Sequence, residues 1–334
     1  MFSLSFILID IYIIPLIFDF FYTILIFLAF CTIIFTMKQI KISNIKKEEK
    51  LIYYIKDTYP NLSTSVLHKA LRNKDIKVND KRVSDSNYIL KNNDILQIYI
   101  DDYLLFGFPK DLDIEYEDDN LLVVYKPQGL LSNNEGDAIS EPTFEEFVKK
   151  QKGENVQICH RLDRNTSGLL IFTKNDEAYE SMLDGFKNGY INKEYIAYVY
   201  GSKFSSNYYK LESYLLKDEK DGYSKIYDTQ VKNSQKIVTE IYPIEKNTKL
   251  NYSILKINIH TGKTHQIRAQ LSAISHPIIG DSKYGKNEIN KKFKKYKQLL
   301  FAVKYNFNFP ENSMLFYLNK ISINLEDKFY MNKI

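Results

Sequence analysis

The sequence predicts an α+β protein. A larger domain is built on a central mixed, mostly antiparallel sheet with flanking helices, and a small α/β module precedes it. Three observations carry this prediction. The chain has 334 residues, room for about two domains. The segments Leu121–Tyr125, Leu169–Thr173, Lys193–Tyr200, Ile237–Ile244 and Tyr252–His260 are apolar runs or alternate apolar with polar residues, the pattern of strands. Between Ser63 and Val83 a helical spacing gives way to a short hairpin pattern. The boundaries that follow are 1–36 for an apolar N-terminal segment, 37–102 for the module, 103–113 for a linker and 114–330 for the larger domain.

Composition is that of an ordinary globular chain, with 44% hydrophobic and 26% charged residues. The two cysteines, Cys31 and Cys159, form no Cys-x-x-Cys pair, which argues against a disulfide framework or a zinc site and fits a reducing compartment. Net charge is +5. Residues 1–36 carry Asp10 and Asp19 and no Lys or Arg, so the rest holds 46 basic and 39 acidic residues, a net +7. That surplus permits a polyanionic partner without requiring one.

Residues 1–36 stand apart. Phe20 to Thr36 is an uncharged, mostly apolar run of 17 residues, and a membrane helix takes about 17–25. Lys38, Lys41, Lys46 and Lys47 follow it and would hold the rest of the chain in the cytoplasm. No basic stretch precedes the run, which disfavours a secretory signal. Two readings stay open. Either this segment is a membrane anchor, or it is upstream sequence translated from a mis-assigned start. The body of the chain is expected to be cytoplasmic in both, tethered only if residues 20–36 are genuinely translated.

In the module, Ser63 is the expected N-cap of a helix. Val66, Leu67, Ala70 and Leu71 share one face, and Lys69 and Arg72 share another. Ile76 and Val78 then alternate with Lys77, Asn79-Asp80 makes a turn, and Lys81, Arg82 and Val83 return. Tyr88 to Ile100 adds short β pieces. Lys69, Arg72, Lys74, Lys77, Lys81 and Arg82 therefore gather near the helix end and the hairpin, a face suited to a phosphate backbone. On charge alone, a solvated surface is the simpler reading. The order Ser63-x-x-x-Leu67-x-Lys69-Ala70-Leu71-Arg72 followed by Ile76-Lys77-Val78-Asn79 resembles the RNA-binding module named after small-ribosomal-subunit protein four. Its usual glycines are here Asp80 and Asn93, residue types that tolerate left-handed backbone. Asp101 to Asp113, with Gly107 and Pro109, reads as connection.

The larger domain opens with a buried strand at Leu121 that ends near Lys126-Pro127. Thr143 and Glu146 form a candidate capping box for a helix running through Lys152. The polar loop from His160 to Ser167 then enters a strand through Gly168. Within it, Asp163 lies between Arg161 and Arg164, cations that favour its ionised form. The string His160-Arg161-Leu162-Asp163-Arg164-Asn165-Thr166-Ser167-Gly168-Leu169 resembles the signature of the RluA-like pseudouridine synthases. Lys193-Glu194-Tyr195 is similar to a second block of that family. Thr261-Gly262-Lys263-Thr264-His265-Gln266-Ile267-Arg268, read as turn then helix and followed by Gly280-Asp281-Ser282-Lys283-Tyr284-Gly285, is similar to a third. Lys263 stands where the family has Arg, and Gln270 where it has a second His. The resemblance runs from Lys38 to about Leu325.

That resemblance implies isomerisation of uridine to pseudouridine in RNA. Large-subunit ribosomal RNA is the commonest family substrate, and transfer RNA is also used. Asp163 is implied as the catalytic carboxylate, Arg268 as the partner that orients it, and Tyr195 as the ring that stacks on a flipped uracil and assists loss of its ring proton. The Asp163 loop and the Arg268 helix are expected to meet in a basic cleft. Lys69, Arg72, Lys77, Arg82, Arg161, Arg164 and Lys263 are the candidate RNA contacts, and His265 and Gln266 are structural or RNA-touching. The reaction is redox-neutral, so neither metal nor organic cofactor is implied. The chain is expected to be a monomer, with the membrane a partner only through residues 1–36. Two alternatives are an RNA-binding, ribosome-associated factor that has lost catalysis and an aspartate-nucleophile glycosidase. The glycosidase would want a second carboxylate that the motifs do not suggest.

Overall fold

The computed structural model describes residues 38–326 except 44, 46–47, 135–140 and 219–220. The readings made on residues 1–36 lie outside that range, as does Cys31. Among the described residues no helix is long and apolar enough to cross a membrane. Two compact units divide between Phe108 and Pro109.

The first unit contains β1 (Lys38–Lys41), β2 (Glu49–Lys50), α1 (Leu51–Thr58), α2 (Thr64–Asn73), β3 (Ile76–Val78), β4 (Lys81–Arg82), β5 (Ile89–Leu90), β6 (Ile95–Ile98) and α3 (Asp102–Phe106). Four of the strands form a sheet in the order β1-β6-β3-β4, every pairing antiparallel. Ser63 caps α2, its hydroxyl accepting from the Val66 amide at 3.3 Å. Val66, Leu67, Ala70 and Leu71 bury one face against Ile76, Val78, Leu96 and Ile98. Truncating a buried leucine such as Leu67 to Ala costs about 2–5 kcal/mol. Asn79 and Asp80 close the β3–β4 hairpin with φ of 50° and 64°, and Asn93 sits at 71°. Paired positive φ is what a two-residue hairpin turn demands. Within the segment read as a linker, α3 buries Leu105 into this unit's core.

The second unit contains β7 (Ile114–Glu117), β8 (Leu121–Lys126), α4 (Phe144–Lys152), β9 (Gln157–Ile158), β10 (Ser167–Thr173), α5 (Asp176–Asn188), β11 (Ile191–Tyr200), β12 (Tyr209–Asp218), β13 (Tyr223–Tyr227), β14 (Gln235–Asn247), β15 (Tyr252–Ile259), α6 (Gln266–Ala273), α7 (Asn287–Phe293), β16 (Leu300–Phe307) and β17 (Ser322–Asn324). Its eleven-stranded sheet runs β13-β12-β14-β15-β11-β16-β10-β8-β7, with β17 on β16 and β9 on β10. Among the described residues only β10 and β16 pair in parallel, at Ser167↔Phe301 and Gly168↔Ala302. The fold is thus the α+β class, with the mostly antiparallel mixed sheet that the alternating segments predicted.

Burial explains the central strands. All seven residues of β10 are buried, as are Leu121 to Val124 of β8. Gly168 has φ +118°, and a Cβ there would run into the Ala302 backbone, so the crossing of β10 and β16 requires glycine. The Thr143–Glu146 capping box forms as expected, with Glu146 N donating to Thr143 Oγ1 at 3.2 Å and Thr143 N to Glu146 Oε2 at 3.0 Å. Strands β12, β13 and β16 and helix α5 were absent from the sequence reading.

Candidate active site

The site forms where the loop before β10 meets the start of α6. That loop is pinned from several sides. Ser132 Oγ donates to Leu162 O at 2.8 Å and accepts from Leu162 N at 3.0 Å. Thr166 N donates to Asp163 O at 3.0 Å, and Gln298 Nε2 donates to Thr166 Oγ1 at 2.7 Å. Lys126 is fully buried, and its ammonium donates to the carbonyls of Pro127, Leu130 and Arg164 at 3.0, 2.8 and 3.2 Å. A buried cation is expensive unless so paired; here it ties the end of β8 to the Asp163 loop. His160 Nε2 accepts from Ile171 N at 3.1 Å, and burial pushes its pKa down to about 3, so the ring is a neutral anchor.

Arg268 and Asp163 are 105 positions apart in sequence, yet Arg268 Nη1 donates to Asp163 Oδ2 at 2.9 Å. Asp163 keeps a fifth of its side chain accessible, whereas Arg268 is 7% exposed. The other edge of the guanidinium grips Asp281. Nε donates to Oδ2 at 2.8 Å and Nη2 to Oδ1 at 3.0 Å. Burial opposes the charge of Arg268, but Asp281 and Asp163 together hold its pKa above the ordinary value. Burial also works against the Asp281 carboxylate. Arg268 and the amides of Tyr284 and Lys283 outweigh it and lower the pKa. Only a planar fork can serve two carboxylates in this way.

Tyr195, on β11 beside a bulge at Glu194, is 7% exposed. Burial raises its phenol well above the usual range, and the Asp163 charge adds to this. At neutral pH it therefore keeps its proton. His265 enters α6 with φ 59°, a left-handed conformation rare for a side chain of its size. Its Nδ1 lies 3.0 Å from Tyr284 Oη and its Nε2 3.9 Å from Asp163 Oδ2. Burial lowers its pKa to about 4, so the ring is neutral.

The structure thus brings Asp163, Arg268, Tyr195 and His265 together. Of the loop's own cations, Arg164 turns to Glu141 at 2.7 Å and to Gly129 O at 3.2 Å, while Arg161 is exposed, as is Lys263 before α6. In the first unit Lys69, Arg72 and Arg82 are exposed and Lys77 is half-buried over the Tyr99 ring. Gln266 is buried, bonded to Thr261, Val238 and Thr239. Gln270 is buried too: its Oε1 accepts from Thr239 Oγ1 at 2.5 Å and its Nε2 donates to Ser213 Oγ at 2.9 Å. The departure at Gln270 therefore sits in a satisfied structural network. The sequence reading missed the roles of Asp281, Lys126 and Gln298. Asp281 was visible only as one letter of a glycine-rich turn. Among the described residues no cluster of His, Cys, Asp and Glu could hold a metal ion.

Comparison with known proteins points to one family. A family model described as RNA pseudouridylate synthase matches residues 120–273. A Mycoplasma capricolum protein named uncharacterized RNA pseudouridine synthase is 31% identical over 265 residues, covering 74% of this chain and 85% of that protein. The ribosomal large subunit pseudouridine synthase C of Rickettsia felis is 32% identical over 262 residues, covering 72% of this chain and 83% of that protein. Among solved structures, human RNA pseudouridylate synthase domain containing 1 superposes with a TM-score of 0.51 at 22% identity, over 65% of this chain and 89% of that one, which shows the shared fold. The chain belongs to the RNA pseudouridylate synthase family, enzymes that isomerise uridine to pseudouridine in RNA.

Proposed function

We propose that Asp163 is the carboxylate that attacks the target uridine and that Arg268 orients it, in large-subunit ribosomal RNA before transfer RNA. The single observation that supports this most is the 2.9 Å bond between these two side chains from distant segments. The target base must leave its stack to be reached, at a cost of a few kcal/mol. The bond from ribose C1′ to uracil N1 then breaks, the base turns, and C1′ bonds to C5. The C5 proton is lost and N1 gains one. Two routes use the same carboxylate: covalent addition to the sugar or abstraction of a sugar proton. Tyr195 lies under the flipped base. Its phenol, protonated in the free enzyme, stacks and first gives its proton to N1 of the detached base, and the resulting phenolate then takes the C5 proton.

The first unit serves as an RNA-binding module of the small-ribosomal-subunit protein four type. Its left-handed Asp80 and Asn93 support this, since they occupy the positions where that module has glycine. Lys69, Arg72, Lys77 and Arg82 there, and Arg161, Arg164 and Lys263 in the catalytic unit, contact phosphates. The enzyme acts as a cytoplasmic monomer, tethered only if residues 20–36 are translated and inserted. Incubating unmodified ribosomal and transfer RNA transcripts with wild type and Asp163→Ala, then counting pseudouridine, tests the assignment. Loss of product in the variant is expected, and a normal rate would overturn it.

A further inference from the structure

We infer that the segment Asn287–Lys297 is an RNA-docking surface, in which Lys291, Lys294 and Lys295 contact phosphates and Tyr296 stacks a base beside the target uridine. The inference rests on the reading of this chain as an RNA-acting enzyme and assigns that enzyme a surface outside its signature motifs.

Between Lys286 and Lys297 stand six lysines against a single acid, Glu288. The segment is divided by burial. Ile289, Asn290 and Phe293 are buried, whereas Lys291 and Lys294 are exposed, Lys295 is half-exposed and Tyr296 is 61% exposed. The side chains of Lys291, Lys294 and Lys295 have no ion pair or hydrogen bond among the described residues. An ordinary solvated face mixes both signs, whereas here lysines surround an open ring almost unopposed. Lysines interleaved with an open ring match a polyanion with π-faces: phosphates for the ammonium groups and a base for the ring.

The anchoring places this surface at the active centre. Asn290 Nδ2 donates to Asp281 O at 3.0 Å and its Oδ1 accepts from Gly280 N at 2.8 Å. The side chain of that same Asp281 holds Arg268. Lys297 O packs so closely on Gly280 that no Cβ would fit there. At the other end Gln298, 1% exposed, donates to Thr166 in the Asp163 loop and accepts through its carbonyl from Gln128 Nε2 at 2.6 Å. The basic segment is thus clamped to the partner of Arg268 at one end and to the loop of Asp163 at the other. A strand whose uridine enters the site passes within reach of it.

The test is filter binding of the full chain to an unmodified transcript of large-subunit ribosomal RNA, titrated with salt. Each lost phosphate contact flattens the slope of log K against log salt by about 0.7–0.9, so Lys291→Gln, Lys294→Gln and Lys295→Gln together should flatten it by about 2–3. The three Arg substitutions should keep the wild-type slope. Single Gln substitutions, each lowering the slope by just under one, read the same effect if the triple variant melts early. Tyr296→Ala should weaken binding about tenfold at low and high salt alike, since stacking is not screened. An unchanged slope in the Gln variants, or unchanged affinity in Tyr296→Ala, overturns the inference. Pseudouridine formation by wild type on the same transcript separates the two readings. Product with an unchanged slope sinks only this surface, and binding without product on any RNA sinks only the enzymatic assignment.

Discussion

Asp281→Asn probes the geometry of the site without touching the group proposed to react. Four donors converge on that buried carboxylate. Oδ1 takes Arg268 Nη2 at 3.0 Å and the amides of Lys283 and Tyr284 at 2.8 and 3.0 Å, and Oδ2 takes Arg268 Nε at 2.8 Å. An asparagine keeps one oxygen for the main-chain amides and turns its NH2 toward the Arg268 Nε, donor against donor. A charge-assisted hydrogen bond contributes about 1.5–3 kcal/mol, and removing one member of a buried pair costs about 3–5 kcal/mol. Arg268 retains Asp163, so the lower end applies, about 3 kcal/mol, or a midpoint about 6–12 °C lower for a unit of this size. The guanidinium is then held at one edge only and Asp163 loses its fixed orientation. A barrier increase of about 2–3 kcal/mol slows the chemical step roughly 30- to 150-fold. The assay is single-turnover release of tritium from RNA labelled at uracil C5, at saturating enzyme, beside a thermal melt. A rate within twofold of wild type together with an unshifted midpoint would refute the claim that Asp281 positions the pair.

Other substitutions test other parts of the construction. Tyr195→Phe keeps the ring and removes the hydroxyl, so kcat should fall about a hundredfold with KM little changed; an unaltered kcat would remove the proton-transfer role and leave Tyr195 only its ring contacts. Lys126→Met leaves the carbonyls of Pro127, Leu130 and Arg164 without their buried donor, and should lower stability by about 3 kcal/mol; chemical denaturation at wild-type strength would contradict it. His160 and His265 have folded pKa values near 3 and 4, below the ordinary 6.5. The unfolded chain therefore binds protons that the native state refuses, and stability should fall as pH drops from 6.5 toward 4. Asp281, whose pKa is depressed, adds a further loss below about pH 4. His160→Asn should flatten the upper part of that curve, and melts showing the same slope in both proteins would count against a neutral, buried His160.

Much of the fold was legible because burial and period agreed. Leu121–Val124 and Leu169–Phe172 are continuous apolar runs in strands covered on both faces. The Thr143–Glu146 box and the Asn79-Asp80 turn carry local chemistry that needs no tertiary partner. Strand β12 was illegible because its alternation breaks at Ser213 and only Ser213 and Leu215 are buried, so its pattern blends into loop. Strand β16 has a readable alternation but follows six lysines, which read as surface. For the site, the signature string singled out Asp163, and family resemblance paired it with Arg268. No local pattern in the sequence could bring two residues 105 positions apart into contact. Lys126 shows the opposite failure, since a lysine closing a strand reads as solvent-facing and here is fully buried.

The parallel β10–β16 contact constrains the order of events in synthesis. Strand β10 must wait for β16, and the Asp163 loop for Gln298, both made more than a hundred residues later. An unfinished chain can form the antiparallel β8–β10 pairing but not the arrangement that braces Asp163. Long-range closure of this kind is slow and comes late. The contacts that brace Asp163 are therefore incomplete until β16 has been made and has docked.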